Sequence, residues 1–194
     1  MNSKKAAEIR QENAGKIICF AVGRHVPYKG YEYLIKASSY LDDRFRIIIG
    51  GTGPLTDDLK AQAAGDEKIT FLGRVSDEDL IAYYQAMDIF CFPSITKNEA
   101  FGIALAEAMY FGKPAVTFTI PGSGVNYVCR NGKEGIEVPN RDVKAYADAL
   151  KKLSVDSTLR VQMGQSGKMR VSKLFLNEQF KRNIQELVFS FDKN

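Results

Sequence analysis

The stretch DIFCFPSITKNEAFGIALAEAMYFGKPAVTF, Asp88 to Phe118, encloses a helix between two strand-like runs. Asp88 to Phe92 and Pro114 to Phe118 are apolar without alternation. Between them Ala and Leu dominate from Ile103 to Met109, Gly112 supplies a stop and Lys113-Pro114 prevents continuation. A helix is therefore expected over Ala104 to Phe111, beginning close to Phe101. Strands without alternation, joined through a helix, belong to a parallel sheet covered on both faces by right-handed crossovers.

The same cycle runs through the preceding half of the chain. Lys16 to Val22 (KIICFAV), Phe45 to Ile49 and Lys68 to Leu72 read as strands, and Gly30 to Tyr40, Leu55 to Ala64 and Asp77 to Gln85 as helices. Beyond Ile120, glycines and turn residues mark loops around a short strand at Gly135 to Val138. Three helical stretches follow, Val143 to Leu153, Ser157 to Val171 and Glu178 to Phe189. The expected architecture is a doubly wound, mostly parallel α/β sheet of about six strands with helices on both faces and C-terminal helices.

Composition bounds the function classes. The chain has 194 residues, 45% hydrophobic and 26% charged, enough for one substantial core of an ordinary globular kind. Its formal net charge of +4 is spread without dense Lys/Arg runs, so a nucleic-acid partner is not expected. Cys19 and Cys91 lie in apolar runs and Cys129 in a loop, with no CxxC spacing, which indicates neither a disulfide framework nor a zinc site. Met1 to Gln11 is polar and helical in character and lacks the apolar core of a signal peptide. The chain therefore reads as cytoplasmic.

Ligands of parallel sheets bind where strands end. After the first strand, Gly23-Arg24-His25-Val26-Pro27-Tyr28-Lys29-Gly30 places a guanidinium and an ammonium five residues apart, suited to a diphosphate or equally to two solvated loop cations. Gly50-Gly51-Thr52-Gly53-Pro54 follows the second strand as a tight turn or a ligand loop, and it lacks the spacing of a nicotinamide-binding fingerprint. His25, the only histidine, reads as a surface residue. At the start of the Ile103 helix, unpaired amides and the helix dipole favour an anion, and Gly102 lets it approach. Phosphate is the obvious candidate. Glu99 would repel it unless the carboxylate turns elsewhere, for instance to hydroxyl groups. Glu107, surrounded in sequence by apolar residues, reads as a partly buried carboxylate in need of a partner. Phosphate and hydroxyls together suggest a nucleotide sugar. Glutamates around a helix start are also commonplace on solvated faces.

Taken in order, GRHVPYKG, GGTGPL, ITFLGRVSDEDL, MDIFCFPS, NEAFGIALAEAMYFGKPAV, NGKEGIEVP and DVKAYADALKKL resemble the C-terminal half of retaining glycosyltransferases of family 4, over about Ile17 to Leu187. In that family two Rossmann-like domains face each other in the GT-B architecture, and the C-terminal one holds the nucleotide-sugar donor. The resemblance implies that residues 16–194 form the donor-binding domain and that residues 1–15 are a linker remnant or N-terminal helix. It implies that Arg24 and Lys29 stabilise the leaving diphosphate, without a metal, beside Gly23. Glu99 then resembles the first Glu of the family's E-x7-E signature, contacting the donor sugar, and Glu107 the second, binding ribose hydroxyls. Phe101, Gly102 and Ile103 offer backbone amides, and the nucleobase packs at Gly73, Arg74 and Val75, with Val75 giving main-chain contacts. The loop Pro121 to Tyr127 departs from the family's Gly-Gly and Pro-Glu pattern.

The implied activity is transfer of a hexose from a UDP-sugar or GDP-sugar to a saccharide or lipid-linked acceptor, with no further cofactor. The acceptor site belongs to an N-terminal domain that this sequence does not supply, so the chain on its own is expected to bind donor and barely catalyse. Peripheral contact with the inner face of a membrane is left to the complete protein. The face toward the second domain is the first candidate for self-association. Two rival readings stay open: a stand-alone nucleotide-sugar-binding subunit without activity, and a fragment of a sugar-nucleotide epimerase.

Overall fold

The apolar runs Ile17–Val22, Phe45–Gly50 and Ile69–Gly73 are strands β1, β2 and β3, and Ile89–Phe92, Ala115–Phe118 and Gly135–Val138 are β4, β5 and β6. They form one sheet in the order β3-β2-β1-β4-β5-β6, and every paired neighbour is parallel. The structure, a computed structural model, describes residues 3–176. The expected helix over Glu178 to Phe189 lies outside the described residues.

Helices α2 (Tyr31–Ser38), α3 (Thr56–Gln62), α4 (Asp77–Ala86) and α5 (Ile103–Tyr110) are the crossovers. Helices α7 (Val143–Val155) and α8 (Ser157–Leu174) close the described chain. They divide into two layers: α2 packs on α3 and α7, while α4 packs on the N-terminal helix α1 (Ser3–Glu12) and α5 packs on α8. Right-handed crossovers wound outward in both directions from β1 and β4 put these layers on opposite faces, so the doubly wound expectation holds. The inner strands are buried on both sides: Ile18, Cys19, Phe20 and Ala21 of β1 and all four residues of β4 are sealed. That burial explains why their sequences run apolar without alternation.

Helix α1 is tied to this body. Ala6 and Ile9 are buried, Lys5 pairs with Asp79, and Arg10 grips both carboxylate oxygens of Asp88 at 2.8 Å. One short helix was not expected: α6 (Val125–Val128) interrupts the glycine-rich loop after β5. Cys129, expected in a loop, directly follows α6 and is buried.

The strand order creates the site. Chains leaving β1 and β4 diverge to opposite faces, and this divergence opens a crevice at the C-terminal ends of the two strands. Side chains cap some helices and not others, and α3, which follows Leu55 away from the crevice, is without a side-chain cap. Ser76, Asp142 and Asp156 cap α4, α7 and α8 by accepting from main-chain amides. Helices α2 and α5, the first elements after β1 and β4, begin instead at Gly30 and Gly102, with no side-chain cap. Their first-turn amides are left available to an anion.

Candidate functional site

Three strand ends converge. The loop after β1 makes a short 3-10 turn at Pro27–Lys29 and enters α2 through Gly30, whose φ of 63° is left-handed. A Cβ at Gly30 would stand 2.2 Å from the Pro93 carbonyl, so only glycine permits the β1 and β4 loops to touch here. Ile95 donates to the Tyr28 carbonyl at 2.9 Å beside this contact. Gly51, after β2, packs as tightly: its Cβ would lie 1.9 Å from the Gly23 carbonyl. The Gly50-Gly51-Thr52-Gly53-Pro54 turn thus holds the β1 loop from the other side, with Leu55 donating to the His25 carbonyl at 3.1 Å.

Lys29 and Glu99 meet across this junction. The Lys29 ammonium lies 2.5 Å from Glu99 Oε2, and both side chains are largely buried. Ser94, just beyond β4, donates to the same oxygen at 2.9 Å. A Cβ at Gly23 would stand 3.7 Å from the ammonium, so the lysine lies directly over that glycine. Phe92 presents its ring 5.3 Å from the ammonium. Glu99 thus faces Lys29, the cation expected to bind phosphate. Arg24 is exposed and makes no ion pair among the described residues. The structure does not join it to Lys29.

The segment ahead of α5 is fixed from the β5 loop. Ser123 donates to the Glu99 carbonyl, and Gly124 donates to the Ala100 carbonyl at 2.8 Å. Gly102 is buried with φ 84° and caps α5, which begins at Ile103, two residues after the expected start. Phe101 is partly exposed and meets Phe175 edge-on at 5.2 Å, and Ile103 is 71% exposed.

Glu107 corrects one expectation. Its residue is exposed, because the apolar neighbours that surround it in sequence point elsewhere: Leu105, Ala106, Ala108 and Met109 are buried on the inner faces of α5. The expected partner nonetheless exists. Buried Tyr84, on α4, donates its hydroxyl to Glu107 Oε2 at 2.9 Å. Burial, with the Glu107 charge adding to it, pushes the Tyr84 phenol well above its ordinary range, so it stays a donor. Phe101, Ile103, Glu107 and Tyr110 line a groove of about 450 Å³ with Val171 and Phe175 of the α8 end. Val75 stands apart from this groove and packs on Gly50 at the end of β2, where a Cβ would lie 2.8 Å from it.

His25 corrects another. It is fully buried, not a surface residue, with Nδ1 2.9 Å from Thr56 Oγ1 and its ring edge-on to Tyr31 and Phe71. Burial pushes its pKa down, with Lys60 adding to the effect, while the Gly50 backbone opposes it. Its neutral form is therefore the native one. Sequence reasoning also passed over Ser94, Tyr84 and Asn140. Asn140 donates to the Ile95 and Thr119 carbonyls at 2.9 and 3.0 Å and ties the loops after β4, β5 and β6 together. Among the described residues, no group of three or more His, Cys, Asp and Glu is placed to hold a metal ion, and no helix is long and apolar enough to cross a membrane.

Comparison with known proteins gives this geometry a context. The model of the family "Glycosyl transferases group 1" matches residues 2–170. The D-rhamnosyltransferase WbpZ of Pseudomonas aeruginosa is 36% identical over 167 residues, covering 85% of this chain and 43% of the relative. The chain spans less than half the length of the curated relatives it matches. Among solved structures, Anabaena Alr3699/HepE in complex with UDP and glucose superposes with a TM-score of 0.85 over 98% of this chain and 53% of its own, at 20% identity. The C-terminal domain of a glycosyl transferase group 1 family protein, LpcC of Francisella tularensis, gives 0.74 at 21% identity, over 89% of this chain and 93% of its own. These last two likenesses are of fold.

Proposed function

Because the chain belongs to the glycosyl transferases group 1 family, we propose that it is the donor-binding half of a retaining hexosyltransferase, taking a UDP-sugar or GDP-sugar. One observation carries this reading: Lys29 and Glu99, from strands that diverge at the switch point, meet beside the uncapped start of α5. A diphosphate seated there takes the Lys29 ammonium and the first-turn amides of α5, with Arg24 able to close over it from its exposed loop. Charge that builds on the leaving nucleoside diphosphate as the glycosidic bond breaks is stabilised by these donors. Glu99, released from Lys29, accepts from hydroxyls of the donor sugar. Glu107 accepts from the ribose, and Val75 flanks the base.

The rhamnosyl and UDP-bound relatives support a sugar-nucleotide ligand and leave the base to experiment. Transfer to a saccharide or lipid-linked acceptor needs a second domain to present that acceptor, so this chain alone binds donor and barely turns over. Titration of the 194-residue chain with UDP, GDP, ADP and NAD, followed by NMR shift perturbation, tests the reading. UDP or GDP binds, Lys29→Ala abolishes the binding and Glu107→Ala weakens it. Binding of NAD alone, or of none at millimolar concentration, overturns it.

A further inference from the structure

Glu107 is exposed on α5, and an unrestrained glutamate on a helix surface samples many rotamers, each lost at a cost when a ligand fixes it. Its carboxylate is not unrestrained. The Tyr84 hydroxyl reaches it from inside the protein, at 2.9 Å from Oε2. The donor itself cannot move: the Tyr84 ring stacks on Phe111 at 5.5 Å and stands edge-on to Phe20 and Phe90 at 5.8 and 5.9 Å. Among the described residues the hydroxyl's other acceptor is the Ala104 carbonyl, at a long 3.4 Å. A phenol packed this tightly needs a hydrogen-bond partner, and it finds that partner on the one exposed carboxylate of α5.

Tyr84 also lies near the end of α4, the helix that starts at Asp77, two residues beyond Val75. One rigid element thus runs from the flank of the base to the carboxylate assigned to the ribose. Resting on the donor-site reading above, we infer that Tyr84 is a positioning residue: its buried hydroxyl holds Glu107 Oε2 and leaves Oε1 presented to the ribose hydroxyls.

The test separates positioning from mere burial of a polar group. Tyr84→Phe, Glu107→Gln and the double variant of the 194-residue chain are titrated with UDP and with 2′,3′-dideoxy-UDP, or with the GDP pair if UDP does not bind. Tyr84→Phe is expected to weaken the ribonucleotide about three- to tenfold, the scale of one hydrogen bond, and to leave the dideoxy analogue unchanged. In the Glu107→Gln background, Tyr84→Phe adds no further loss. Equal weakening of both analogues, or no weakening while Glu107→Gln does weaken the ribonucleotide, overturns the inference and spares the donor-site reading. If Glu107→Gln does not distinguish the two analogues, the ribose assignment itself falls, and the inference with it. Should Tyr84→Phe not fold, the Cζ signal of Tyr84 in the native chain decides: it moves on adding the ribonucleotide and not the dideoxy analogue, and an unmoved signal overturns the inference.

Discussion

Glu99 is 8% exposed and holds two donors, Lys29 and Ser94, whereas Glu107, further along the same segment, is exposed and holds one, Tyr84. The first sits where three loops close on one another, the second on the outer surface of a helix. The difference bears on how each meets a ligand. On the proposed reading an incoming diphosphate exchanges partners at Glu99, because Lys29 is already paired with it. At Glu107 a ligand adds a contact without breaking one. Electrostatic stabilisation built into a crevice and a preset acceptor on an exposed face are two ways of preparing a site.

The comparison is broken most severely at Lys29. Lys29→Ala leaves a buried carboxylate with only the Ser94 hydroxyl, and is expected to lower stability by about 2–3 kcal/mol in urea unfolding and to abolish nucleoside diphosphate binding. Smaller effects, opposite in sign only on binding, are expected from Glu99→Gln. The amide keeps an acceptor for Ser94, so stability falls by about 1 kcal/mol, while freeing Lys29 raises UDP or GDP affinity about threefold by calorimetry. Glu107→Gln, on the exposed face, is expected to change stability by less than about 0.5 kcal/mol. If Glu99→Gln and Glu107→Gln cost the same, the contrast between the two carboxylates is wrong.

The smallest effect is a pH dependence at the junction of the β1 and β2 loops. His25 faces Thr56 and the rings of Tyr31 and Phe71, with Lys60 the charged group acting on it, and burial holds its native pKa below the ordinary value of about 6.5. The unfolded chain then binds the proton first. Stability contributed by neutral His25 is complete above the unfolded value and is lost as pH falls from there through the native pKa. His25→Leu should flatten that part of the stability profile, as urea midpoints at successive pH values would report.

The strands were legible because burial on both faces leaves uninterrupted apolar runs such as IICFAV and IFCF, and the crossover helices followed from the breaks between them. Membership of the family was legible from seven short motifs in register. The pairing of Lys29 with Glu99 was not, since seventy residues separate them and only the strand order brings them together. Glu107 was misjudged because sequence neighbours on a helix point around the cylinder, so its apolar flanks say nothing of its own face. Buried His25 was misjudged for another reason: the turn at Gly53 folds the loop inward, and a Cβ there would lie 2.4 Å from the His25 carbonyl. Tyr84 was passed over; it is a core aromatic whose hydroxyl was the overlooked signal, because a buried phenol implies an acceptor.

The central claim is that the crevice between β1 and β4 holds a nucleoside diphosphate. Amide shift mapping of the chain with the better ligand of UDP and GDP tests it most directly. The account predicts perturbations concentrated in residues 23–30 and 98–104, with Gly102 and Ile103 among the largest and all of them lost in Lys29→Ala. Perturbations centred on the groove between α2 and α3 instead, around Lys36 and Gln62, or a response that survives Lys29→Ala intact, would contradict it.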